Sequence, residues 1–598
     1  VLADTDRVGT SVGLRRRTAT QPATPPTAPA AAQDAEDPAP QQLHRGITLL
    51  ATISLFIGTR SAWTTAISSR PAVAAVISLC YASILICGAL GLLIRTRRAL
   101  TRIDAAVLIT ALALAACGYL LHHTGADEAA LTAQAADQIR HGHPVYGQPW
   151  PWLFDLPHVG LTKTMSGGAD YTYGYPPLTA LLAAPVHAVI PTTAAATLVT
   201  TGALFASTVL LWFLLPAPWR SAATAVCLGF GFLPHYAAYG YPAIIALALL
   251  IPVVVRWPQT GQGGRLGSRG TLRAICLGAA CAAQQLAWFF TPFLLIGLYA
   301  VRRGELGPRR ALALTARYTA TAALTWSAVN AYFAAQDFSA WLEGIFLPLN
   351  QKAILHGQGA MGISYYFTAG SSHLDYYTYA SQLLLLGLLA ATLLFLRRLG
   401  PAITVLPWIA FYLAPRSQDG YFLLMTPLWL AAAATVPAAA LATAWQPRLP
   451  RLTSRRAKAA LAAGLLAPAF ACVAIAASSR PPLQLTLTPR YATHGSQAGV
   501  TAITLRAVNT TGSPLTPHFA SRQGHGASNW WTIQSGPATL APHTTANYTI
   551  KPPGGFRPVP GGHSPTYLIA VTATPMTITT APIAAPAAEA PASADGGD

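Results

Sequence analysis

Residues 72–94 read AVAAVISLCYASILICGALGLLI. The run has no charged side chain and, as a helix, is long enough to cross a hydrocarbon core of roughly 30 Å. Backbone groups in lipid find no water to bond, so such a run is read as a helix that satisfies its own hydrogen bonds. Upstream, 46–66 is a weaker span interrupted by Arg60, and downstream 103–121 is a clear one. Between the two clear spans lies a basic loop with Arg95, Arg97, Arg98 and Arg102.

The same reading extends to 193–215, 221–236, 241–255, 311–333, 378–396, 401–414, 421–443 and 459–479. The stretch 176–190 starts with Pro176-Pro177 and is punctuated by Pro185, so a short helix that does not fully cross is expected. Residues 274–301 are expected to enter and return as a pair of short helices around Gln284-Gln285. The predicted fold class is an α-helical polytopic membrane protein of about 11–13 spans, in keeping with 53% hydrophobic and only 10% charged residues.

The formal charge of +19 would suggest nucleic acid in a soluble chain. Here the arginines sit in short loops (256–273, 302–310, Arg397-Arg398 and 448–458), a pattern of membrane topology that excludes a nucleic-acid partner. With those loops on the cytoplasmic side, the long loops 122–175 and 334–377 fall outside. The seven cysteines lie in or beside apolar runs with no CxxC spacing, so neither a disulfide framework nor a zinc site is indicated.

Composition shifts mark the ends. Residues 1–43 read as a disordered cytoplasmic tail without an apolar core of the signal-peptide kind. The membrane domain is 44–480. From 481 to 580 strands of period-two alternation with turn signals such as Asn509-Thr510-Thr511-Gly512 predict a small extracytoplasmic β-sandwich, followed by a disordered tail at 581–598.

About half of the 19 acidic residues fall in loops of one face, among them Asp127, Glu128 and Asp170. A carboxylate where a dry helix meets water is partly desolvated and can be tuned as a general base. Asp127, directly after the third span, is the first choice, with Glu128 and Asp170 as further carboxylates; N-capping of a helix at 128–140 is the competing role for Asp127. Glu128, the next residue on that helix, is expected to point elsewhere. Arg416 breaks the positive-inside pattern and is a natural phosphate ligand, with Lys163 second; anchoring a helix end or pairing with Asp419 is its bland alternative. Tyr173, Tyr175, Trp341 and His356 are candidate sugar or acceptor contacts. The His122-His123 pair beside Asp127 matches no strong metal motif, so no metal is assigned and a divalent ion is not favoured.

Asp127, then Gly142-His143-Pro144-Val145-Tyr146, then Tyr173-Gly174-Tyr175-Pro176-Pro177-Leu178 form an order that resembles the GT-C superfamily of membrane glycosyltransferases. The likeness is to the polyprenol-phosphate-mannose-dependent mannosyltransferases of glycosyltransferase family 87 and covers roughly 100–445. It implies a catalytic Asp in the first large outer loop, here Asp127, a polyprenyl-phosphate sugar as donor and no cofactor. It implies a plasma-membrane enzyme whose partners are membrane lipid, that donor and a glycan or glycolipid acceptor of the cell envelope. The expected sugar is mannose, with arabinose second. Tyr239-Gly240-Tyr241-Pro242 stands where the family's pattern differs. Two other classes fit many spans with polar loops: a transporter or flippase of lipid-linked saccharides, and a membrane scaffold with a carbohydrate-binding outer domain. Apolar cores with almost no ionisable residues weigh against transport.

The topology has a direct check. In a cysteine-free background, a single cysteine at Arg265 should resist an impermeant thiol reagent in intact cells and react after permeabilisation. Labelling from outside would overturn the assignment.

Overall fold

The computed structural model describes residues 39–156, 159–352, 357–448, 450, 454–494, 497–554 and 565–584. The two expected tails lie outside the described residues apart from their inner ends. Three long helices open the fold: α1 (Gln42–Ser69), α2 (Pro71–Leu93) and α3 (Arg97–Leu121). Pro71 starts α2, where the missing N–H has no intrahelical partner to lose, and Thr96 caps α3 by accepting from the Ala99 N–H. Then follow α4 (Asp127–His141), α5 (Leu178–His187) and α6 (Ala194–Leu214). The ten-residue α5 is the short helix expected within 176–190.

The expected span 221–236 is broken. It consists of α7 (Arg220–Thr224), a π-helical turn at Ala225–Gly229 and α8 (Phe232–Ala238), which begins after Gly231 in the left-handed region. The break lets α1 press its backbone onto the turn: a Cβ on Gly58 would lie 2.1 Å from the Gly229 carbonyl oxygen. Next come α9 (Pro242–Val254), α10 (Gly267–Ala283) and α11 (Leu286–Leu306). The chain does break at Gln284-Gln285, yet α11 has 21 residues and is long and apolar enough to cross, not a short return. The helical part continues with α12 (Pro308–Gln336), α13 (Phe338–Asn350) and α14 (Asp375–Leu399). Residues 401–414 yield only α15 (Leu406–Tyr412) after a 3-10 turn, and 421–443 is split into α16 (Asp419–Leu423), α17 (Thr426–Thr435) and α18 (Ala439–Ala442). The last helix is α19 (Arg455–Ser478).

Six helices are long and apolar enough to cross a membrane: Pro71–Leu93, Arg97–Leu121, Ala194–Leu214, Leu286–Leu306, Asp375–Thr404 and Arg455–Ser478. The chain is thus built as a multi-pass membrane protein. Helices α1 and α12 are also long, at 28 and 29 residues, but carry arginines within their length. One expectation about the apolar cores fails. Asp104 of α3 is fully buried and bonded to His44 Nε2 at 2.7 Å, to Thr48 Oγ1 at 2.7 Å and to Ser221 Oγ at 2.6 Å.

The strands begin in the loops. β1 (Thr162–Lys163) and β2 (Ala169–Asp170) form a small antiparallel hairpin, and β3 (Gly370–Ser371) precedes α14. After α19 come β4 (Leu483–His494), β5 (Gln497–Asn509), β6 (His518–Gln523), β7 (Gly526–Ala527), β8 (Thr532–Ser535), β9 (Thr545–Lys551), β10 (Thr566–Ala573) and β11 (Met576–Pro582). They make two antiparallel sheets, β4-β5-β9-β8 and β3-β11-β10-β6-β7, around a core that includes Ile503, Leu505, Phe519, Tyr548 and Leu568. Strand β3 comes from the helical part, so the second sheet is shared between the two regions.

The β1-β2 hairpin fixes the other side of this junction. Lys163 Nζ donates to the carbonyls of Ala527 and Ser528 at 3.0 and 2.9 Å, and the Trp530 indole N–H donates to the Gly168 carbonyl at 2.8 Å. Lys352 Nζ reaches the Ala573 carbonyl at 2.6 Å.

The contact between α1 and the π-helical turn predicts an asymmetric response. Gly58→Ala should force two backbones apart and lower the melting temperature in detergent, a cost of about 1–3 kcal/mol for overpacking. Gly46→Ala, on the same helix with nothing within 4 Å of the new Cβ, should leave it unchanged or slightly higher. Equal melting of the two variants would contradict the close approach.

Candidate functional site

The site grows from the start of α4. Gly125, in the left-handed region, turns the chain after α3, and the Ala126 N–H donates to the Tyr239 carbonyl at 3.2 Å. Gly240 holds a positive φ of 85° and a Cβ there would sit 2.6 Å from the Ala129 Cβ, so only glycine lets the 239–242 loop brace the first turn of α4. Ala126 occupies the N-cap position without a side-chain cap, and Asp127 is the first helical residue. The expected capping role of Asp127 is therefore not the one it has.

Glu128 does not point away from Asp127. Side chains on a first turn lean toward the helix N-terminus, and both carboxyls line the same cavity. Glu128 is only 6% exposed and its Oε2 has no hydrogen-bond partner. Burial in the first place, then the neighbouring Asp127 charge and a hydrogen bond shared with that carboxylate, raise the Glu128 pKa well above the usual carboxylate range. The same causes favour the protonated form of Glu128 beside Asp127.

Arg416 lines the same cavity. Residues 357–360 hold its loop: the Gln358 N–H donates to the Ser417 carbonyl at 2.9 Å and the Ala360 N–H to the Tyr412 carbonyl at 2.9 Å. Gln351, its amide oriented to suit both neighbours, donates to Asp170 Oδ2 at 2.7 Å and accepts from Arg416 Nη1 at 3.2 Å. Asp170 is itself fixed by an Asx-type turn, its Oδ1 accepting from the Thr172 N–H at 3.0 Å and hydroxyl at 2.8 Å. Arg416 Nε is buried without a partner, and among the described residues no carboxylate lies within 4.0 Å of the guanidinium. The side chain of Asp419, its expected ion-pair partner, lies outside the described residues.

Asp127, Glu128, Asp170, Tyr175 and Arg416 together line a cavity of about 700 Å³, well within the range of small-molecule sites. Its remaining lining is mixed: Phe289, Phe346, Leu347, Leu349 and Phe411 are apolar, while Gln284, Gln285, Lys352, Asp375 and Gln382 are polar or charged. Burial, followed by the charges of Glu128 and Asp127, raises the pKa of Tyr175, so its phenol stays a hydrogen-bond donor.

The other expected contacts fall elsewhere. Tyr173 is fully buried against Tyr146 in an aromatic core, and Trp341 belongs to the same core, its indole N–H donating to Asn330 Oδ1 at 3.0 Å. Neither reaches the cavity, because both close the layer beneath it. Lys163 spends two of its three donors on backbone carbonyls of the β-sandwich, and burial lowers its pKa, so it is a tie between regions before it is a phosphate ligand. It borders a second, smaller cavity discussed below. His356 lies outside the described residues. Among the described residues no three His, Cys, Asp or Glu side chains gather as a metal-ligating group.

Sequence reasoning missed Gln284, Gln285, Tyr241 and Gln351, all of which line the cavity. Gln285 Nε2 donates to the carbonyls of Gly174 and Ile345, both at 2.8 Å, and so ties the two long loops together at the break between α10 and α11. A glutamine pair between two apolar runs was the available signal. Comparison with protein-family models, with curated proteins and with solved structures yields no match, so the reading of this site rests on its geometry and chemistry.

Proposed function

We propose that the chain is a membrane glycosyltransferase that moves a sugar from a polyprenyl-phosphate donor to a hydroxyl of a cell-envelope glycan or glycolipid. One observation carries the reading: Asp127 and an Arg416 without an ion-pair partner among the described carboxylates line one cavity that also carries an apolar stretch of Phe289, Phe346, Leu347, Leu349 and Phe411. An apolar groove beside membrane helices suits a lipid tail, and a buried guanidinium suits the phosphate at its head. The order of motifs shared with GT-C enzymes points the same way, with the site on the outer face and mannose as the first sugar to try.

In this mechanism the sugar C1–O bond to phosphate breaks with oxocarbenium character. Polyprenyl phosphate leaves with the bonding pair, its charge met by Arg416. The acceptor hydroxyl oxygen bonds to C1 and its proton passes to the Asp127 carboxylate. Double displacement would need a second ionised carboxylate about 5 Å away as nucleophile. Glu128 is hydrogen-bonded to Asp127 and its pKa is raised, which makes it a poor second nucleophile and favours a single displacement with inversion.

Asp127→Asn separates base from scaffold, since the side chain keeps its size. With a panel of radiolabelled polyprenyl-phosphate sugars and envelope acceptors, the folded variant should lose transfer by a factor on the order of 10² to 10⁴. Near-normal turnover would remove Asp127 from the chemistry. Arg416→Ala should raise the KM for donor, and Arg416→Lys should recover only part of it because an ammonium lacks the bidentate fork; unchanged donor kinetics in both would leave Arg416 a structural cation.

Glu128 adds a pH signature. As pH rises through its elevated pKa, a second negative charge appears beside Asp127 and opposes the donor phosphate, so kcat/KM for donor should fall on the alkaline side. Glu128→Gln mimics the neutral acid and should flatten that limb. Identical profiles for the two proteins would show that the Glu128 charge does not bear on donor use.

A further inference from the structure

A second cavity of about 290 Å³ meets the first at Asp127, Glu128, Thr162, Tyr241 and Arg416, the five residues common to both linings. Its own walls differ in kind. Gly160 and Leu161 come from the loop that leads into β1, Lys163 from β1 itself, Tyr365 from the π-helical turn Ile363–Phe367, Gln418 from the Arg416 loop, and His525 and Ala527 from the β6-β7 hairpin of the sandwich. Lys163, Tyr365, Gln418 and His525 bring polar side chains, and the phenylalanines and run of leucines of the larger cavity have no counterpart.

The sandwich is held at this spot by directed contacts. Lys163 bonds the carbonyls that follow the β6-β7 turn, at Ala527 and Ser528. Arg522 of β6 lies over the rings of Tyr365, Tyr366 and Tyr567 at 5.3, 5.1 and 4.5 Å. The exposed His525 ring touches the Tyr366 hydroxyl at 3.4 Å. The Glu128 carboxyl, more than nine-tenths buried and with an unpartnered Oε2, borders both cavities and lacks the hydrogen bond that a bound hydroxyl would supply.

We infer that the smaller cavity seats the hydroxyl-bearing end of a glycan acceptor, and that the β6-β7 hairpin of the C-terminal sandwich forms the wall that selects it. This rests on the transfer reaction proposed above and adds the acceptor's place and class. The end of an uncharged oligosaccharide suits the walls: hydroxyls for Glu128, Thr162 and His525, and a sugar face for Tyr241. A lipid chain finds no apolar track there. Such a division also lets water replace the glycan as acceptor without disturbing the donor.

Gly160→Trp tests this. A Cβ at Gly160 meets nothing within 4 Å, so the variant fills the cavity without a clash at its root. Two readouts are taken on the full chain in detergent: saturation-transfer NMR binding of soluble mannose and arabinose oligosaccharides, and, for the donor found in the panel above, release of sugar to water against transfer to those oligosaccharides. The expected result is oligosaccharide binding by the wild type and Asp127→Asn, lost in Gly160→Trp and weakened in His525→Ala. Transfer to oligosaccharide should fall about tenfold or more in Gly160→Trp while release to water stays within about twofold. Oligosaccharide binding that survives Gly160→Trp, or is absent from the wild type, overturns the assignment, as does an equal loss of transfer and hydrolysis. A wild type that binds oligosaccharide but uses no donor would instead sink the transferase reading and leave the glycan site standing.

Discussion

The structure depends on one unfinished electrostatic arrangement: Arg416 held in one cavity with Asp127 and Glu128, without a described carboxylate close enough to neutralise it. Removing ions from water costs several kcal/mol each unless partners replace the lost hydration. Protein alone supplies part of that here, through Gln351 on one guanidinium nitrogen and the hydrogen bond between the two carboxyls. Every loop near the site acts to keep the gap open. Gln285 ties 174 to 345, the 239–242 loop braces α4, and 357–360 clamps the Arg416 loop.

The helical class of the fold was legible because charge-free runs such as 72–94 have one physical solution in lipid. What the runs did not reveal is where they break. Hydropathy is blind to the π-helical turn at Ala225–Gly229, since Ala, Val, Cys, Leu and Gly are as apolar inside a break as inside a helix. The reason for the break lies in another helix, in the bare backbone of Gly58. The split of 421–443 has the same character. The β-sandwich was legible from period-two alternation, but its extra strand β3 was not, because two residues, Gly370 and Ser371, carry no period.

At the site, the carboxylates and Arg416 stood out because a charge beside a long apolar run needs a reason. Residues that act through amides and phenols gave no such contrast, so Gln351 passed unnoticed, while Gln285 and Tyr241 stood out only as a chain break and a motif difference and not as cavity residues. The aromatic candidates divided where the irregular chain around Gly174 departs from alternation: Tyr175 lines the cavity while Tyr173, two residues earlier, lies in the aromatic core. A motif rich in tyrosine cannot disclose which ring is wall and which is foundation. That distinction needs the neighbours, here Tyr146 and Phe333, which take up the space around Tyr173.

The buried His44 and Asp104 bear on the competing idea of transport, since ionisable residues within membrane helices commonly mark a translocation path. A path requires charges that meet a cavity and exchange partners. Asp104 instead accepts three hydrogen bonds at once, from His44, Thr48 and Ser221, on α1 and α7, and it lines neither cavity. The group also sits near the first turns of α1 and α3, whereas the site begins beyond the far end of α3. Its geometry is that of a clamp joining α1, α3 and α7. By fixing the base of α3, the clamp sets the direction in which that helix delivers Gly125 and Asp127, so a fully satisfied charge at one end of the helix supports an unsatisfied one at the other.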